Sequence, residues 1–312
     1  LFVECATGSG DPDAVTNAQM IAVVDTNAGS IIASYRRANS LPVRPGLQGL
    51  PYSIKEFGCI CDGSADDTSA LNGAFASGVS LQIPIGTCRY ISSTTLTIGT
   101  VGTSIIGHGK GSLIRFSGTV GALTPIVTVN AANVTLKDFA IDTVTDTTAP
   151  APINGSSFTY RANTVGVRVN AVAGTVLDNL SITGVSYGVE SLQNASRIKL
   201  VNSFITNTGL QFTAFYITND IVIADNTFIN TGTTGGVISS SGKYIRVTGN
   251  YIFAAGSTGV NLGGSGCDNC ETKEAVVSKN VIFAQNAIAI ENGVQRIVIA
   301  NNQITITEPF PN

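Results

Sequence analysis

Short segments of alternating apolar and polar residues recur along most of the chain. In one template, alternating apolar positions lead to a polar pair, usually ending in Asn, and then to another apolar residue. Six segments fit it: TVLDNLSI (175–182), IKLVNSFI (198–205), IVIADNTF (221–228), IRVTGNYI (245–252), AVVSKNVI (275–282) and IVIANNQI (297–304). They begin 23, 23, 24, 30 and 22 residues apart. The chain therefore contains an internal repeat with one insertion.

The template predicts a strand followed by a turn, because its apolar residues alternate with the period of a strand and not that of a helix. Each unit carries a second short alternating segment, such as YGVES (187–191) or GVNLG (259–263). Several short strands per repeat, with equivalent residues at equivalent places, are typical of coils that hydrogen-bond to the next coil. We therefore predict an all-β fold, a single-stranded right-handed parallel β-helix.

One template position holds Asn in four consecutive repeats, namely Asn226, Asn250, Asn280 and Asn302. An amide turned inward at a corner can bond the backbone of its own coil and the amides above and below. We predict that these four side chains stack on one another.

The first 50 residues differ from the repeats. Their apolar spacing predicts one or two short helices with a break near residues 27–29, a leader that would serve in oligomerisation or as a neck. Residues 51–312 are predicted to form the β-helix domain. A helix at about residues 67–77, begun by Asp66 or Asp67, would cap the open first coil.

Composition limits the classes of function. Charged residues make up 12% of the 312, and the net charge is −3. Without a basic excess or a Lys/Arg cluster, we expect no nucleic-acid partner. No apolar run approaches the length of about 20 residues that spans a bilayer, so no membrane span is expected.

The six cysteines do not predict a disulfide framework for a chain of this length. Cys267 and Cys270 form a CxxC pair inside the insertion between two repeats. Zinc would need two further ligands, so a local disulfide or two free thiols is the preferred interpretation. No metal and no other cofactor is predicted.

Two segments resemble a known family. FGCICDGSADDTSALNGAFASG (57–78), followed by VSLQIPIGTCRY (79–90), is similar to the opening motif of the pectate-lyase-like β-helix superfamily, which is widespread in phage tailspikes and polysaccharide-degrading enzymes. SIIGHGKGSLIRF (104–116) resembles the segment that follows it. The chain departs from the motif at Cys59 and Cys61, which replace Ala and Gly, and at Cys88, where an aromatic residue is usual.

The resemblance implies a tailspike-like depolymerase that binds and hydrolyses a bacterial surface polysaccharide, either capsule or O-antigen. It further implies a homotrimer on a virion tail or outside the cell. Two alternatives stay open: a secreted polysaccharide lyase of the pectate-lyase type, and a non-catalytic glycan-binding spike or adhesin. The motif itself is structural, so its carboxylates at Asp62, Asp66 and Asp67 are expected to hold the turn and the helix.

Candidate catalytic residues precede the template strands. Asp220 and Glu274 occupy that position two coils apart, with Tyr244 between them and Arg197 and Arg296 on either side. The hypothesis is that the two carboxylates act as acid and base on a glycosidic bond, while Tyr244 stacks on sugar and the arginines bind acidic substituents. The favoured alternative is a purely structural series of ion pairs, Arg197 with Asp220 and Glu274 with Arg296.

A second catalytic candidate is Glu190, which the repeat places one coil after Arg168, with Tyr187 nearby. Arg168 and Tyr187 are candidates for binding the substrate there. A solvated surface charge is the more common role for such a residue. No cluster of acidic residues suitable for Ca²⁺ is visible, so a lyase ranks below a hydrolase.

Overall fold

The structure is a computed structural model with two compact units, residues 1–50 and residues 51–312. It describes residues 23–25, 30–33, 50–121, 123–145, 147–150, 157–192, 194–231, 236–263, 272–291 and 293–307.

In the first unit, strands β1 (Val23–Asp25) and β2 (Ser30–Ala33) pair in antiparallel orientation. The predicted helix is therefore wrong at these residues, and the rest of the predicted leader lies outside the described residues. Both segments contain adjacent β-branched residues, which favour strand over helix.

The second unit is a right-handed parallel β-helix, as predicted, and each complete coil contributes strands to three parallel ladders. Ladder 1 contains β3 (Tyr52–Ser53), β5 (Leu81–Gln82), β8 (Ser104–Ile106), β11 (Thr135–Lys137), β15 (Val176–Asp178), β18 (Ser196–Val201), β21 (Asn219–Ala224), β24 (Lys243–Thr248), β26 (Lys273–Ser278) and β28 (Gln295–Ala300).

Ladder 2 contains β4 (Asp62–Asp66), β6 (Gly86–Tyr90), β9 (Ser112–Phe116), β12 (Ala140–Thr143), β16 (Ser181–Thr183), β19 (Phe204–Thr208), β22 (Thr227–Thr231), β25 (Tyr251–Leu262), β27 (Val281–Ile290) and β29 (Gln303–Ile306). Ladder 3 contains β7 (Leu96–Ile98), β10 (Thr124–Val129), β14 (Ser157–Val169), β17 (Val185–Ser191), β20 (Gln211–Phe215), β23 (Gly236–Ser240) and the second halves of β25 and β27. β13 (Thr147–Pro150) pairs with the start of β14 in antiparallel orientation.

The core consists of like residues stacked along the axis. In ladder 1, Ile198 pairs with Ile221 and Ile221 with Ile245, and all three are buried. Since neighbouring residues alternate between inside and outside, the residues between these apolar positions face solvent.

The predicted Asn stack, Asn226, Asn250, Asn280 and Asn302, is confirmed. Each of the first three side chains donates from Nδ2 to Oδ1 of the next, over 2.9–3.0 Å. Each Nδ2 also donates to a backbone carbonyl of the preceding coil, for example Asn250 to Ile223 over 2.9 Å. The stack thus joins the coils at one corner.

The first coil is covered by a 3₁₀ helix (Ile54–Phe57) and by α1 (Thr68–Ala76), which buries Leu71, Ala74 and Phe75. This confirms the predicted capping helix. Asp66 accepts a hydrogen bond from the Thr68 N–H over 3.0 Å.

Asp67 is the N-cap residue of α1, but its side chain does not cap the helix. The buried carboxylate instead accepts hydrogen bonds from the N–H groups of Ile60 (2.6 Å), Cys61 (3.2 Å) and Arg89 (3.1 Å). Asp67 therefore fixes the turn that precedes β4, in line with the structural role expected for the motif.

A disulfide joins Cys61 to Cys88, and Cys59 is a buried free thiol. Burial, aided by the negative charge of Asp67, raises the pKa of the Cys59 thiol to about 12. Cys5 and the predicted CxxC pair, Cys267 and Cys270, lie outside the described residues. Among the residues that are described, no helix is both long and apolar enough to cross a membrane.

Candidate functional site

Five candidate residues form one column at the start of the ladder 1 strands: Arg197, Asp220, Tyr244, Glu274 and Arg296. All five have left-handed backbones, with φ between 52° and 61°. Each stands between two residues that pair with the neighbouring coil, such as Ser196 and Ile198. We call these five residues the corner column.

Three members of the corner column line a shallow depression of about 310 Å³ on the outer face of ladder 1. Glu274 and Arg296 form an ion pair, and the tyrosine ring of Tyr244 lies one coil before them. Tyr244 is 54% exposed, so its ring is open to a large ligand. The outward side chains of Arg246, Val276 and Val298 complete the lining.

Asp220 is exposed and precedes Tyr244 by one coil, but it does not line the depression. Among the described residues, no ion pair joins it to Arg197. The predicted ion pair is therefore present between Glu274 and Arg296 and, among the described residues, absent between Arg197 and Asp220. A purely structural role for the column stays a prediction. The two carboxylates share one column with Tyr244 between them, as the repeat predicted.

The second candidate lies on ladder 3, where Arg168 pairs with Glu190 one coil on. Arg168 Nε lies 2.6 Å from Glu190 Oε2, and Arg168 also donates to the carbonyl of Leu123 over 3.3 Å. Glu190 is only 5% exposed, so the expectation of a solvated surface charge is wrong. We call Arg168 and Glu190 the buried pair.

Two tyrosines accompany the buried pair. Burial, and secondarily the charge of Glu190, raises the pKa of Tyr187. Burial raises the pKa of Tyr216 to about 12, with smaller contributions from Tyr187 and Glu190. Tyr216 was missed in the sequence. The strand register could have revealed it, because Ala214 pairs with Glu190 of the preceding coil and Tyr216 lies two residues after Ala214.

Metal-ligating side chains come together elsewhere. Within the described part of the chain, the group close enough to hold an ion is Cys59, Cys61 and Asp67, whose ligand atoms lie within 4.8 Å of one another. It belongs to neither the corner column nor the buried pair. The corner column and the buried pair present carboxylates, guanidinium groups and tyrosines.

Comparison with known proteins gives a match in structure but not in sequence. No protein-family model matches the chain, and no curated protein sequence is significantly similar to it. The tailspike gp42 of Acinetobacter phage vb_AbaP_AS12 superposes with a TM-score of 0.51 at 12% identity, over 81% of this chain and 45% of the tailspike. The chain shares the tailspike β-helix fold.

A second similar structure is the catalytic unit of the GH87 α-1,3-glucanase from Streptomyces thermodiastaticus strain HF3-3. It has a TM-score of 0.50 and 18% identity, and the match covers 86% of this chain and 49% of the glucanase. The chain thus spans about half the length of these two β-helix structures.

Proposed function

We propose that the protein is a tailspike-like depolymerase that binds and hydrolyses a bacterial surface polysaccharide at the corner column. The observation that carries the proposal is an exposed tyrosine, Tyr244, beside the Glu274–Arg296 ion pair in a depression on the outer wall of a β-helix. The shared fold of a phage tailspike and of a glucanase supports the same class of function.

The depression suits one segment of a long glycan better than an enclosed small molecule. Its volume of about 310 Å³ is at the lower limit of small-ligand pockets, and it is open along the wall. The Tyr244 ring offers a face on which a sugar can stack. Arg296 and Arg246 offer hydrogen-bond donors for hydroxyl or acidic groups of the glycan. Arg197 offers further donors at the other end of the corner column.

Hydrolysis would use the two carboxylates of the corner column. Coils repeat about every 4.8 Å, so Asp220 and Glu274 are separated by about 9.6 Å along the axis, close to the range of about 6.5–9.5 Å in inverting glycosidases. As the ion-pair partner of Arg296, Glu274 carries the negative charge that a general base needs to activate water. Asp220 would then protonate the leaving oxygen.

The proposed substrate also suggests where the protein acts and in which oligomeric state. A polysaccharide on a bacterial surface is met outside the cell, so we place the protein on a virion tail or in the extracellular space. We also propose that it acts as a homotrimer, as the tailspike resemblance implies. Light scattering that returned the mass of a single chain would contradict the trimer without affecting the site.

The test is incubation with a panel of bacterial capsules and O-antigens, followed by mass spectrometry of the released fragments. Asp220→Asn and Glu274→Gln should each abolish release from the polysaccharide that the wild type cuts. Asp142→Asn is the matched control, because it breaks another Arg–carboxylate pair, with Arg115 at 2.7 Å on ladder 2. Normal release by both corner-column variants would overturn the catalytic assignment.

A second function, glycan binding without cleavage, is favoured by two observations. The charge of Glu274 is already balanced by Arg296, and Asp220 lies outside the depression. In this case the wild type retains a polysaccharide without releasing fragments, and Tyr244→Ala abolishes that retention. Fragments with unsaturated ends would instead indicate a lyase.

A further inference from the structure

Three cysteines converge beneath the first coil of the β-helix. Cys59, Cys61 and Cys88 are all at most 5% exposed. Cys88 lies on β6, and the preceding residue, Thr87, donates its N–H to the Cys61 carbonyl over 3.1 Å. Strand pairing between coils therefore brings Cys88 next to Cys61, whereas Cys59 lies two residues before Cys61 in the sequence.

A carboxylate completes the group. Asp67 is 2% exposed, and its ligand oxygen and the sulfur atoms of Cys59 and Cys61 lie within 4.8 Å of one another. Among the described residues, no Lys or Arg forms an ion pair with Asp67. A buried anion without a cationic partner, next to a buried thiol outside the disulfide, leaves a position that a cation would satisfy.

We propose that this cluster is a second functional element, a zinc-type site that forms when the Cys61–Cys88 disulfide is reduced. Cys59, Cys61 and Cys88 would supply three thiolates, and Asp67 a carboxylate oxygen, giving the four ligands of a closed tetrahedral site. Tetrahedral Zn–S bonds of about 2.3 Å place sulfur atoms about 3.8 Å apart. The Cys59 and Cys61 sulfur atoms and the Asp67 oxygen lie within 4.8 Å of one another, and the disulfide holds the Cys88 sulfur beside that of Cys61. The inference is independent of the proposed polysaccharide site.

The turn around Asp67 is already organised for this role. Its carboxylate is held by the N–H groups of Ile60 and Arg89 over 2.6 and 3.1 Å. Together with the bond from the Cys61 N–H over 3.2 Å, these bonds orient the carboxylate and occupy three of its roughly four lone-pair positions, which leaves one for a metal. The site would join the same two segments as the disulfide, so oxidation and metal binding are alternative ways to connect the first coils.

A phosphine can reduce the Cys61–Cys88 disulfide in water. The phosphine breaks the sulfur–sulfur bond and takes up an oxygen atom from water, and the two water protons end on Cys61 and Cys88. Binding of Zn²⁺ then releases one proton from each of the three thiols.

The test is a titration of the phosphine-reduced protein with Co²⁺, a spectroscopic substitute for Zn²⁺, in the Cys267→Ser/Cys270→Ser background, which removes the CxxC pair. We expect one Co²⁺ per chain, the absorption bands of tetrahedral thiolate coordination, and displacement by Zn²⁺. The oxidised protein should show none of these bands.

Cys59→Ser is the discriminating variant, since it leaves the disulfide intact. It should weaken Co²⁺ binding at least tenfold, while circular dichroism of the oxidised variant stays native. Unchanged binding in Cys59→Ser, or no Co²⁺ bands in the reduced protein, would overturn the site. A reduced chain that unfolds and does not refold when Zn²⁺ is added would overturn it as well.

Discussion

The corner column and the buried pair both place a glutamate against an arginine one coil away, yet they differ in access. The Glu274 side chain is 39% exposed, whereas that of Glu190 is 7% exposed. A polysaccharide can reach the first carboxylate but not the second without rearrangement. We therefore propose different roles for these similar charge pairs, substrate contact for the corner column and stability for the buried pair.

The largest expected difference is in activity. Glu274→Gln should reduce fragment release by about 10²–10⁴-fold, the usual contribution of general acid–base catalysis. Glu190→Gln should leave the rate per folded molecule unchanged, because Glu190 is shielded by its pairing with Arg168. Rates normalised to native protein check this. The reverse pattern would assign the chemistry to the buried pair.

Stability should show the opposite order. Removing the Glu190 carboxylate leaves Arg168 largely buried without its partner, so Glu190→Ala should lower the free energy of unfolding by about 3–5 kcal/mol. The half-exposed Glu274–Arg296 pair should contribute at most about 1 kcal/mol. Denaturant unfolding of both variants measures the contrast. The double variant Arg168→Met/Glu190→Leu should recover part of the loss.

The Asn stack allows a comparison within the fold itself. Asn250→Ala should lower the free energy of unfolding by about 2–3 kcal/mol, because Asn226 loses the acceptor of its backbone and side-chain N–H groups and Asn280 loses one of its donors. Asn302 is less buried and has a stack neighbour on one side among the described residues, so Asn302→Ala should cost less. Equal costs at both positions would argue against a cooperative stack.

The smallest effect concerns the titration of Tyr216. An unfolded tyrosine loses its proton near pH 10, whereas the folded pKa of Tyr216 is about 12. The contribution of Tyr216 to the free energy of unfolding is thus fully present below pH 10. It falls between about pH 10 and 12, because Tyr216 loses its proton in the unfolded chain before it does in the folded protein. Tyr216→Phe should remove one late step from the tyrosinate absorbance titration, and Tyr244→Phe should not remove that step.

Much of the fold could be predicted because equivalent residues recur in the sequence once per coil. Period-two apolar residues at a spacing of one coil fixed ladder 1, the stack from Asn226 to Asn302 and the alignment of Asp220 with Glu274. The β20 segment has no Gly-Val pair of the kind found in GVNLG, so Tyr216 was missed.

Other features depend on contacts between residues that are far apart in the sequence, and a local sequence pattern does not predict such contacts. The Cys61–Cys88 disulfide joins residues 27 apart, and only the pairing of β4 with β6 brings them together. The burial of Glu190 likewise could not be predicted from its charge. The β1 and β2 segments were misassigned because the prediction followed their apolar spacing and did not weigh their adjacent β-branched residues, which favour strand.

The most direct test of the corner column is a crystal structure of the Asp220→Asn/Glu274→Gln variant. The crystal would be soaked with an oligosaccharide fragment of the polysaccharide that the wild type cuts. The sugar is expected to stack on the Tyr244 ring, with a glycosidic oxygen between positions 220 and 274. An oligosaccharide seated instead over Tyr187 and Tyr216 on ladder 3 would contradict the assignment.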